Sequence, residues 1–586
     1  MQNNKMLQRS EYPCPQFRRK EWLSLNGEWE FSYDDLDEGI VLGYDTGRVK
    51  LPLKINVPFT YQYQASGIGD TALHERVWYR RTFKVNTAKR ALLCFNGCDY
   101  ATDVWVNGSH VISHIGGFTP FSADITPFLQ KNGENAIVVR CFDPYDPAIP
   151  RGKQSWTGER FTCWYIPNTG IWQSVWIDYF DEDCIETYQL TPDYDKCCVA
   201  GEIVTLHGKA TEAEIEISFG GKTVKKVRFA LDGKRTRYSV RLMEPDFVDT
   251  SYAWTPDNPV LFHTVFRLFF KGKCVDEAQT RFGLRKISAD GNRVCLNNAP
   301  IYQRLILDQG YWDESGLTAP SVEAIKKDIQ LALSMGFNGA RKHQKFEDPY
   351  FYYYAEELGF LTWCEMPSAY HFCSEEIKRI SAEWYEIVTV ARNFTSVICY
   401  VPLNESWGIR NVVDDEEQLN FVRSVYYATK ALDSSRLINT NDGWECPDTT
   451  DIIGIHDYAY DGVLFFSKYC AERYDDVYPQ SRRLMSYGCK YSGQPVLLTE
   501  FGGIAMKGEE ENGNWGYNSG ASNAEEFFKR YKNLLKAIYD NVEFQGFCYT
   551  QLTDVQQEVN GLLTSERQPK FDLDIIKALT TQNKQI

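Results

Sequence analysis

Two apolar stretches of the sequence end in a glutamate instead of in the residues that normally stop a strand. In the stretch ICYVPLNESWG the apolar run is followed by Asn404 and Glu405, and in the stretch PVLLTEFGG it is followed by Glu500. A buried strand usually stops in a turn of Gly, Asn or Asp. If the two strands end at one rim, their carboxyl groups face each other, and such a pair can hydrolyse a glycoside. One group must hold a proton for the leaving group, and the other must be ionised to attack the anomeric carbon.

The distance between the two carboxyl groups would decide the stereochemistry of such a reaction. A separation of about 5–5.5 Å allows direct attack and retention, whereas about 6.5–9.5 Å admits a water molecule and gives inversion. The sequence does not fix this distance. It does predict that Glu405 keeps its proton near neutral pH, because burial and the charge of Glu500 would both raise its pKa.

More polar residues follow the other apolar runs in the same half of the chain. These residues are Arg341 and His343 after the second run, Glu365 after the third, Asn441 and Asp442 after the fifth, His456, Asp457 and Tyr458 after the sixth, and Gln551 and Asp554 after the eighth. Convergence of so many polar groups on one rim is hard to explain by packing. We therefore expect a site there, in which Arg341 holds a neighbouring carboxylate in its ionised form.

The elements that must position these residues have the pattern of a (β/α)₈ TIM barrel over residues 285–586. Eight short apolar runs alternate with helical or loop segments, and buried parallel strands have such runs. The segment SVEAIKKDIQLALSMG places Val322, Ile325, Ile329 and Ala332 at helical spacing. In a barrel the C-terminal ends of the strands carry the active site. The alternative is a doubly wound open sheet, which the lack of a Gly-rich loop after the first strand weakens.

The first half of the chain reads as β structure throughout. Residues 1–180 contain short alternating runs separated by turns such as Asn96-Gly97, which indicates a jelly-roll sandwich. Residues 181–284 continue the alternation through Ile215 and Ile217 and predict an immunoglobulin-like β-sandwich. The fold class predicted for the chain is therefore multidomain, with two β-sandwiches followed by a barrel.

Composition excludes several classes of protein. The 586 residues carry a formal net charge of −16, which disfavours nucleic acid as a partner. The sequence has neither an apolar run near the length of a membrane span nor the apolar region of a secretory signal. Its 17 cysteines are scattered, without a CxxC pair. This pattern predicts reduced thiols, a cytoplasmic location, and neither a metal nor another cofactor.

Several motifs resemble those of glycoside hydrolase family 2, the β-galactosidase and β-glucuronidase family. They are SLNGEWEFSYD and GIWQSVWI in the first domain, RFGLRKI at the domain junction, and GFNGARKHQKFEDPYFYYYAEELGFLTWCEMPS, VPLNESWG and PVLLTEFGG in the barrel. The resemblance implies a retaining mechanism in which Glu405 is the acid/base and Glu500 is the nucleophile. It also implies that Asn404 binds the sugar 2-hydroxyl and that Tyr458 donates to Glu500. Many relatives are oligomers, so the resemblance also implies that this chain forms a homo-oligomer.

Four other residues are candidates for substrate contacts, and each also has an ordinary structural reading. His343 falls where relatives carry a histidine after the second barrel strand. His456 and Trp363 lie in the runs of the sixth and third strands. Trp515 lies in a loop after the seventh strand, where its ring could stack on a sugar or pack within the loop.

The family pattern also bears on which sugar is cleaved. The glucuronidases grip the uronate carboxylate with an Asn-x-Lys pair, and the aligned positions here are Glu558 and Asn560. A glutamate there would repel a carboxylate, although Lys342 or Lys345 could supply another cation. We therefore expect an exo-acting enzyme on terminal neutral β-glycosides, with a β-galactoside as the first candidate. A uronidase, a galactofuranosidase or arabinosidase, and a non-catalytic carbohydrate-binding protein are the alternatives.

Overall fold

The structure is a computed structural model that describes residues 9–85, 89–130, 133–245, 250–510 and 513–582. The predicted outer limits at residues 1 and 586 thus lie outside the described residues. Within them, two β-sandwiches precede a barrel of eight parallel strands, and the predicted fold class is confirmed. Among the described residues, no helix is long and apolar enough to cross a membrane.

The first domain is a sandwich of two antiparallel sheets. Its strands are β2 (Trp22–Ser24), β3 (Gly27–Tyr33), β4 (Leu53–Val57), β5 (Arg76–Phe83), β6 (Arg90–Phe95), β7 (Cys98–Asp99), β8 (Ala101–Val106), β9 (Ser109–Ile115), β10 (Phe121–Asp124), β11 (Asn135–Phe142), β12 (Gly170–Ile171) and β13 (Val175–Phe180), after a short β1 (Arg18–Arg19). The six-stranded sheet has the order β4-β3-β5-β11-β8-β9 and faces the four-stranded sheet β10-β6-β13-β2. Apolar side chains from both sheets, such as Trp29 and Leu93, share one core.

The second domain is a smaller sandwich. Its strands are β14 (Ile185–Asp193), β15 (Cys198–Thr205), β16 (Glu212–Phe219), β17 (Lys222–Ala230), β18 (Arg235–Arg241), β19 (Phe262–Phe270) and β20 (Lys273–Phe282). One sheet has the order β1-β20-β19-β16-β17 and the other the order β14-β15-β18. Ile215 and Ile217 of β16 are fully buried, as their alternation predicts.

A small antiparallel sheet leads from the second domain into the barrel and closes the barrel's N-terminal end. Its strands are β21 (Ile287–Asp290), β22 (Arg293–Leu296) and β23 (Ala299–Pro300). Ile287, Val294 and Leu296 join the apolar side chains inside the barrel, including Leu305 and Trp363. Substrate therefore cannot enter from this end.

The barrel contains all eight predicted strands. They are β24 (Gln303–Asp308), β25 (Gly339–Lys342), β26 (Leu361–Glu365), β27 (Val397–Val401), β28 (Leu437–Ile438), β29 (Ile453–His456), β30 (Val496–Gly502) and β31 (Phe544–Thr550). Their order is β28-β27-β26-β25-β24-β31-β30-β29, so the first and last strands pair. The helices are α1 (Val322–Ser334), α2 (Pro349–Leu358), α3 (Ser374–Ala391), α4 (Glu416–Leu432), α5 (Val463–Lys468), α6 (Ala524–Asp540) and α7 (Leu573–Thr580). The predicted apolar face of α1 is buried, and Ser321 caps its first turn by accepting from the amide of Ala324.

Candidate active site

Glu405 reaches the barrel mouth through a strained turn after β27. Both Glu405 and the next residue, Ser406, have left-handed backbone angles, with φ of 53° and 54°. The amide of Glu405 donates to the carbonyl of Asp442 at 2.8 Å, and the amide of Ser406 donates to Asn441 Oδ1 at 3.1 Å. Non-glycine residues rarely adopt this conformation, and such strain concentrates at functional sites. The turn holds the carboxyl group at the rim.

Glu500 lies within β30 and faces Glu405 across the mouth. Its Oε1 accepts from Arg341 Nη1 at 3.1 Å, and its Oε2 accepts from Tyr458 Oη at 2.5 Å. Carboxylate oxygens of Glu405 and Glu500 and a ring nitrogen of His456 all lie within 4.8 Å of one another. This spacing is close to the separation of about 5–5.5 Å that allows direct attack on a sugar, and it is too short for the water molecule that an inverting enzyme holds between its carboxyl groups.

Arg341 is the centre of the charge network at the floor of the site. Its fully buried guanidinium group donates to Glu365 Oε1 at 2.7 Å and to Asn404 Oδ1 at 3.1 Å, and it pairs with Asp442 Oδ2 at 2.7 Å. Burial alone would raise the pKa of Asp442, but the charges of Arg341 and His456 hold it well below its ordinary value. Arg341 and Asp442, two of the polar residues predicted to meet at the rim, are thus in contact.

His456 lies between the two glutamates. Its Nδ1 is 2.8 Å from Glu405 Oε1 and 3.5 Å from Glu500 Oε2, and its Nε2 is 3.1 Å from Asp442 Oδ2. Burial opposes the charge on the ring, but the three carboxylates outweigh burial and raise the pKa of His456 to about 10. An imidazolium has no free lone pair, so in this form the ring donates hydrogen bonds to the carboxylates.

The pKa expected for Glu405 is wrong for this structure. Burial does raise the pKa of Glu405, but the hydrogen bond and the charge of His456 outweigh it and lower the pKa to about 2. The expectation counted Glu500 as the dominant neighbour and did not include an imidazolium in contact with Glu405. The proton of the pair is therefore held on the His456 side.

The structure brings three more predicted residues to this network. Asn404 is buried, and its Nδ2 has no hydrogen-bond partner among the described residues, so it is free to donate to a ligand. His343 Nδ1 lies 2.9 Å from Glu365 Oε2. Tyr458 stacks on Tyr517, with ring centroids 3.4 Å apart.

Trp363 and Trp515 lie farther from the two glutamates. Trp363 is fully buried inside the barrel, where its Nε1 donates to Gln303 Oε1 at 2.8 Å, and the structure does not bring it to the rim. Trp515 Nε1 donates to the carbonyl of Thr162 in the first domain at 2.7 Å, and its ring contacts that of Tyr517. Trp515 therefore joins the loop after β30 to the first domain.

Glu558 and Asn560 form a buried network with residues from the first domain and from the loops after β24 and β31. Glu558 Oε2 accepts from Tyr165 Oη at 2.6 Å and from Gln309 Nε2 at 3.4 Å, and its Oε1 accepts from Asn560 Nδ2 at 3.2 Å. Asn560 Oδ1 accepts from Gln551 Nε2 at 2.7 Å. This network links the first domain to the loops that follow β24 and β31.

Three lysines lie near the site, and two are paired with carboxylates. Lys342 pairs with Asp308 and Glu347, and Lys345 pairs with Glu347, each at 2.8 Å. Lys153, from the first domain, is also buried, but no carboxylate of the described residues lies within 4.0 Å of its Nζ. Burial disfavours its charge, whereas Cys163, Glu558 and Glu405 raise its pKa above the ordinary value.

Sequence reasoning missed Lys153, Tyr165, Gln309 and Tyr517. Lys153 and Tyr165 belong to a first-domain segment that lies on the barrel rim, where the amides of Arg151 and Gly152 donate to the carbonyl of Ser368 at 3.1 Å. Gly152 has φ of 59°, and a Cβ there would lie 2.3 Å from the carbonyl oxygen of Gln344. The segment RGKQSWTGERFTCWYIP offered one signal, since its density of aromatic residues is unusual for a loop.

Three domain descriptions of one family match the chain in succession. "Glycosyl hydrolases family 2, sugar binding domain" matches residues 22–165, "Glycosyl hydrolases family 2" matches residues 183–285, and "Glycosyl hydrolases family 2, TIM barrel domain" matches residues 290–584. Among curated relatives, a β-glucuronidase of Paenibacillus borealis is 23% identical over 94% of this chain and 95% of its own length. A β-galactosidase of Thermoanaerobacter pseudethanolicus is 25% identical over 71% of this chain.

The chain spans 54% of that β-galactosidase and 56% of a putative β-glucuronidase of Formosa agariphila, so it covers about half the length of these relatives. Solved structures match over more of their length. A β-glucuronidase from Ruminococcus gnavus has a TM-score of 0.76 at 20% identity, covering 98% of this chain and 100% of that chain. A β-galacturonidase from Eisenbergiella tayi has a TM-score of 0.76 at 19% identity, covering 98% of each chain. With three matched domains in the family's order, this chain belongs to glycosyl hydrolases family 2.

Proposed function

We propose that this protein is a retaining exo-β-glycosidase that removes a terminal neutral sugar, with a β-galactoside as the substrate class. The observation that carries the proposal is the facing pair Glu405 and Glu500, whose oxygens lie within 4.8 Å of each other and of His456. The two carboxyl groups have different surroundings, which suits two different roles. Arg341 and Tyr458 stabilise a charge on Glu500, whereas Glu405 shares a proton with His456.

The reaction follows from these roles in two halves. An oxygen of Glu500 bonds to the anomeric carbon while the bond to the leaving oxygen breaks, and that oxygen takes the proton of the Glu405–His456 pair. Water then attacks the same carbon, gives a proton to Glu405 and releases Glu500. The free Nδ2 of Asn404 is placed to donate to a sugar hydroxyl next to the reacting carbon.

The pairing of two lysines near the site supports a neutral substrate. Lys342 and Lys345 are tied to Asp308 and Glu347, so neither is available to bind a uronate carboxylate. Glu558 adds a buried acceptor, and Lys153 is the remaining cation near it among the described residues.

A panel of nitrophenyl glycosides tests the sugar. We expect the β-galactoside to be hydrolysed with a higher kcat/KM than the β-glucuronide and the β-galacturonide, because a buried Glu558 repels a second carboxylate. A furanoside and an arabinoside belong in the same panel. Efficient cleavage of a uronide without any cleavage of the galactoside would overturn the neutral-sugar assignment, and failure to cleave every glycoside would overturn the enzyme assignment.

Replacing Lys153 by Met should increase the discrimination against uronides. Lys153 offsets the charge of Glu558, so its loss should lower kcat/KM for uronides roughly tenfold more than for the galactoside. Lys196→Met is the matched control, because that lysine is 78% exposed and lies in the second domain. Equal losses on both substrate types would show that Lys153 does not act through substrate charge.

A further inference from the structure

Five aromatic rings form a cluster beside Glu405 that is separate from the apolar cores. The aromatic cluster consists of Trp156, Phe161 and Trp164 from the first domain and Tyr370 and Trp407 from the barrel. The Trp407 ring lies 5.0 Å from that of Trp164 and 5.3 Å from that of Tyr370. Trp156 stacks on Tyr370 at 4.5 Å, and Phe161 stacks on Trp164 at 4.8 Å. None of the five belongs to the six apolar clusters of the described residues.

The cluster lies on the side of the site where a leaving group must be. Trp407 Nε1 donates to Glu405 Oε2 at 3.1 Å, while the other oxygen of Glu405 faces His456. The group that gives a proton to the leaving oxygen must be in contact with it, so the leaving group lies next to Glu405. A leaving group in that position reaches Trp407 first and the other four rings beyond it.

The rings are held in place and four of them stay partly exposed, although the guanidinium of Arg410 lies over the Trp407 ring. Tyr370 Oη donates to the carbonyl of Gly152 and to Gln344 Oε1, and Gln557 Nε2 donates to the carbonyls of Thr162 and Trp164 at 2.9 Å. Trp164 is buried, whereas the other four rings are half-buried. A rigid, partly exposed set of rings can bind a ligand without a large cost in ordering.

We infer that the aromatic cluster is a leaving-group site for a planar aromatic aglycone, so that the natural substrates are aryl or arylalkyl β-glycosides. This inference rests on the proposed function, since it requires Glu405 to be the acid. The planar ring of an aromatic aglycone can stack on the rings of the cluster or contact them edge-on. Such contacts contribute binding free energy beyond that of the apolar area they bury. A second sugar would instead need convergent polar groups for its hydroxyls. The cluster contributes ring faces from five side chains, and Arg410, whose guanidinium carbon lies 3.7 Å from the centroid of the Trp407 ring, is a charged neighbour of one of them. A single cation on one ring does not supply such a convergent set.

The site can be tested by letting added alcohols compete with water for the glycosyl-enzyme. Because every acceptor reacts with the same glycosyl-enzyme, differences in the leaving ability of substrates do not affect the result. The donor is the dinitrophenyl glycoside that the panel identifies, and the competing acceptors are benzyl alcohol, cyclohexylmethanol and D-glucose. Benzyl alcohol and cyclohexylmethanol differ in the planarity of the ring and carry the same hydroxymethyl nucleophile. We expect benzyl alcohol to be captured on the order of 5–10-fold more often than cyclohexylmethanol, relative to water.

Variants within and outside the cluster complete the experiment. Trp156→Ala and Phe161→Ala should each reduce this ratio to about twofold or less, because they remove stacking surface that does not touch Glu405. Tyr427→Ala, which removes a ring 61% exposed on α4, should leave the ratio at the wild-type value. A wild-type ratio near one, no capture of either alcohol, a ratio unchanged in both cluster variants, or preferred capture by glucose would each overturn the inference. All four outcomes require a working glycosidase, so they are distinct from failure of the proposed function.

Discussion

Glu500→Ala is expected to lower kcat by at least about 10²-fold and toward 10⁴-fold, because no other group can form the covalent intermediate. The fold should persist, since the buried Arg341 keeps Glu365 and Asp442 as partners when Glu500 is removed. Added azide should fill the vacated space, attack an activated substrate directly and give a glycosyl azide of inverted anomeric configuration. The measurement is steady-state hydrolysis of a dinitrophenyl glycoside with and without azide, followed by identification of the product.

Glu525→Ala provides a control for this prediction, because that carboxylate is exposed in the first turn of α6. It should retain wild-type kcat and show no response to azide. If Glu500→Ala kept more than about a hundredth of the wild-type rate, the assignment of the nucleophile would be wrong.

The second large effect concerns the proton that Glu405 and His456 share. The pKa of His456 is raised, to about 10, so the pair holds its proton below that pH and loses it as the pH rises through that value. We therefore expect kcat/KM to decrease at alkaline pH, with an apparent pKa well above the ordinary range of a carboxyl group. This alkaline limb of the pH profile belongs to the pair. In His456→Asn the cation is gone, burial again raises the pKa of Glu405, and the limb should move to lower pH.

Glu405→Ala should remove the alkaline limb altogether. It should also slow substrates with poor leaving groups by about 10²-fold or more, while dinitrophenyl glycosides, which need no proton to leave, are slowed far less in glycosylation. The measurement is the pH dependence of kcat/KM for both variants with leaving groups of graded acidity. An alkaline limb that stays in place in both variants would assign the acid to another residue, and Glu365 at the end of β26 would be the next candidate.

Both glutamates and most of the barrel could be predicted because they depend on local sequence. Eight apolar runs became eight strands, and the residues just after β27 and within β30 lie where strand ends converge. Trp363 shows the limit of this reasoning. It is two residues before Glu365 on the same strand, so both side chains point to one side, but Trp363 lies one layer deeper inside the barrel.

Two features of the site could not be read from the sequence, for physical reasons. Lys153 lies 252 residues before Glu405 in the sequence. Only the packing of the first domain on the rim brings its charge near Glu405 and Glu558. The protonation of the Glu405–His456 pair depends on a 2.8 Å contact and on Asp442 behind the ring. A pKa is set by the nearest charges in space, and the sequence places His456 only at a strand end.

The left-handed turn at Glu405 has a consequence for synthesis. Enzymes that lack the acid/base but keep the nucleophile still form the glycosyl-enzyme from activated donors and pass it to strong nucleophiles, such as thiols, that need no base. The usual replacement by alanine keeps the unfavourable backbone at residue 405, where φ is 53°. Glycine adopts this conformation freely, and a non-glycine residue pays about 1 kcal/mol for it. A synthetic catalyst made as Glu405→Gly therefore removes the carboxylate and relaxes the turn at once, so that loss of hydrolysis and gain of backbone stability come from the same substitution.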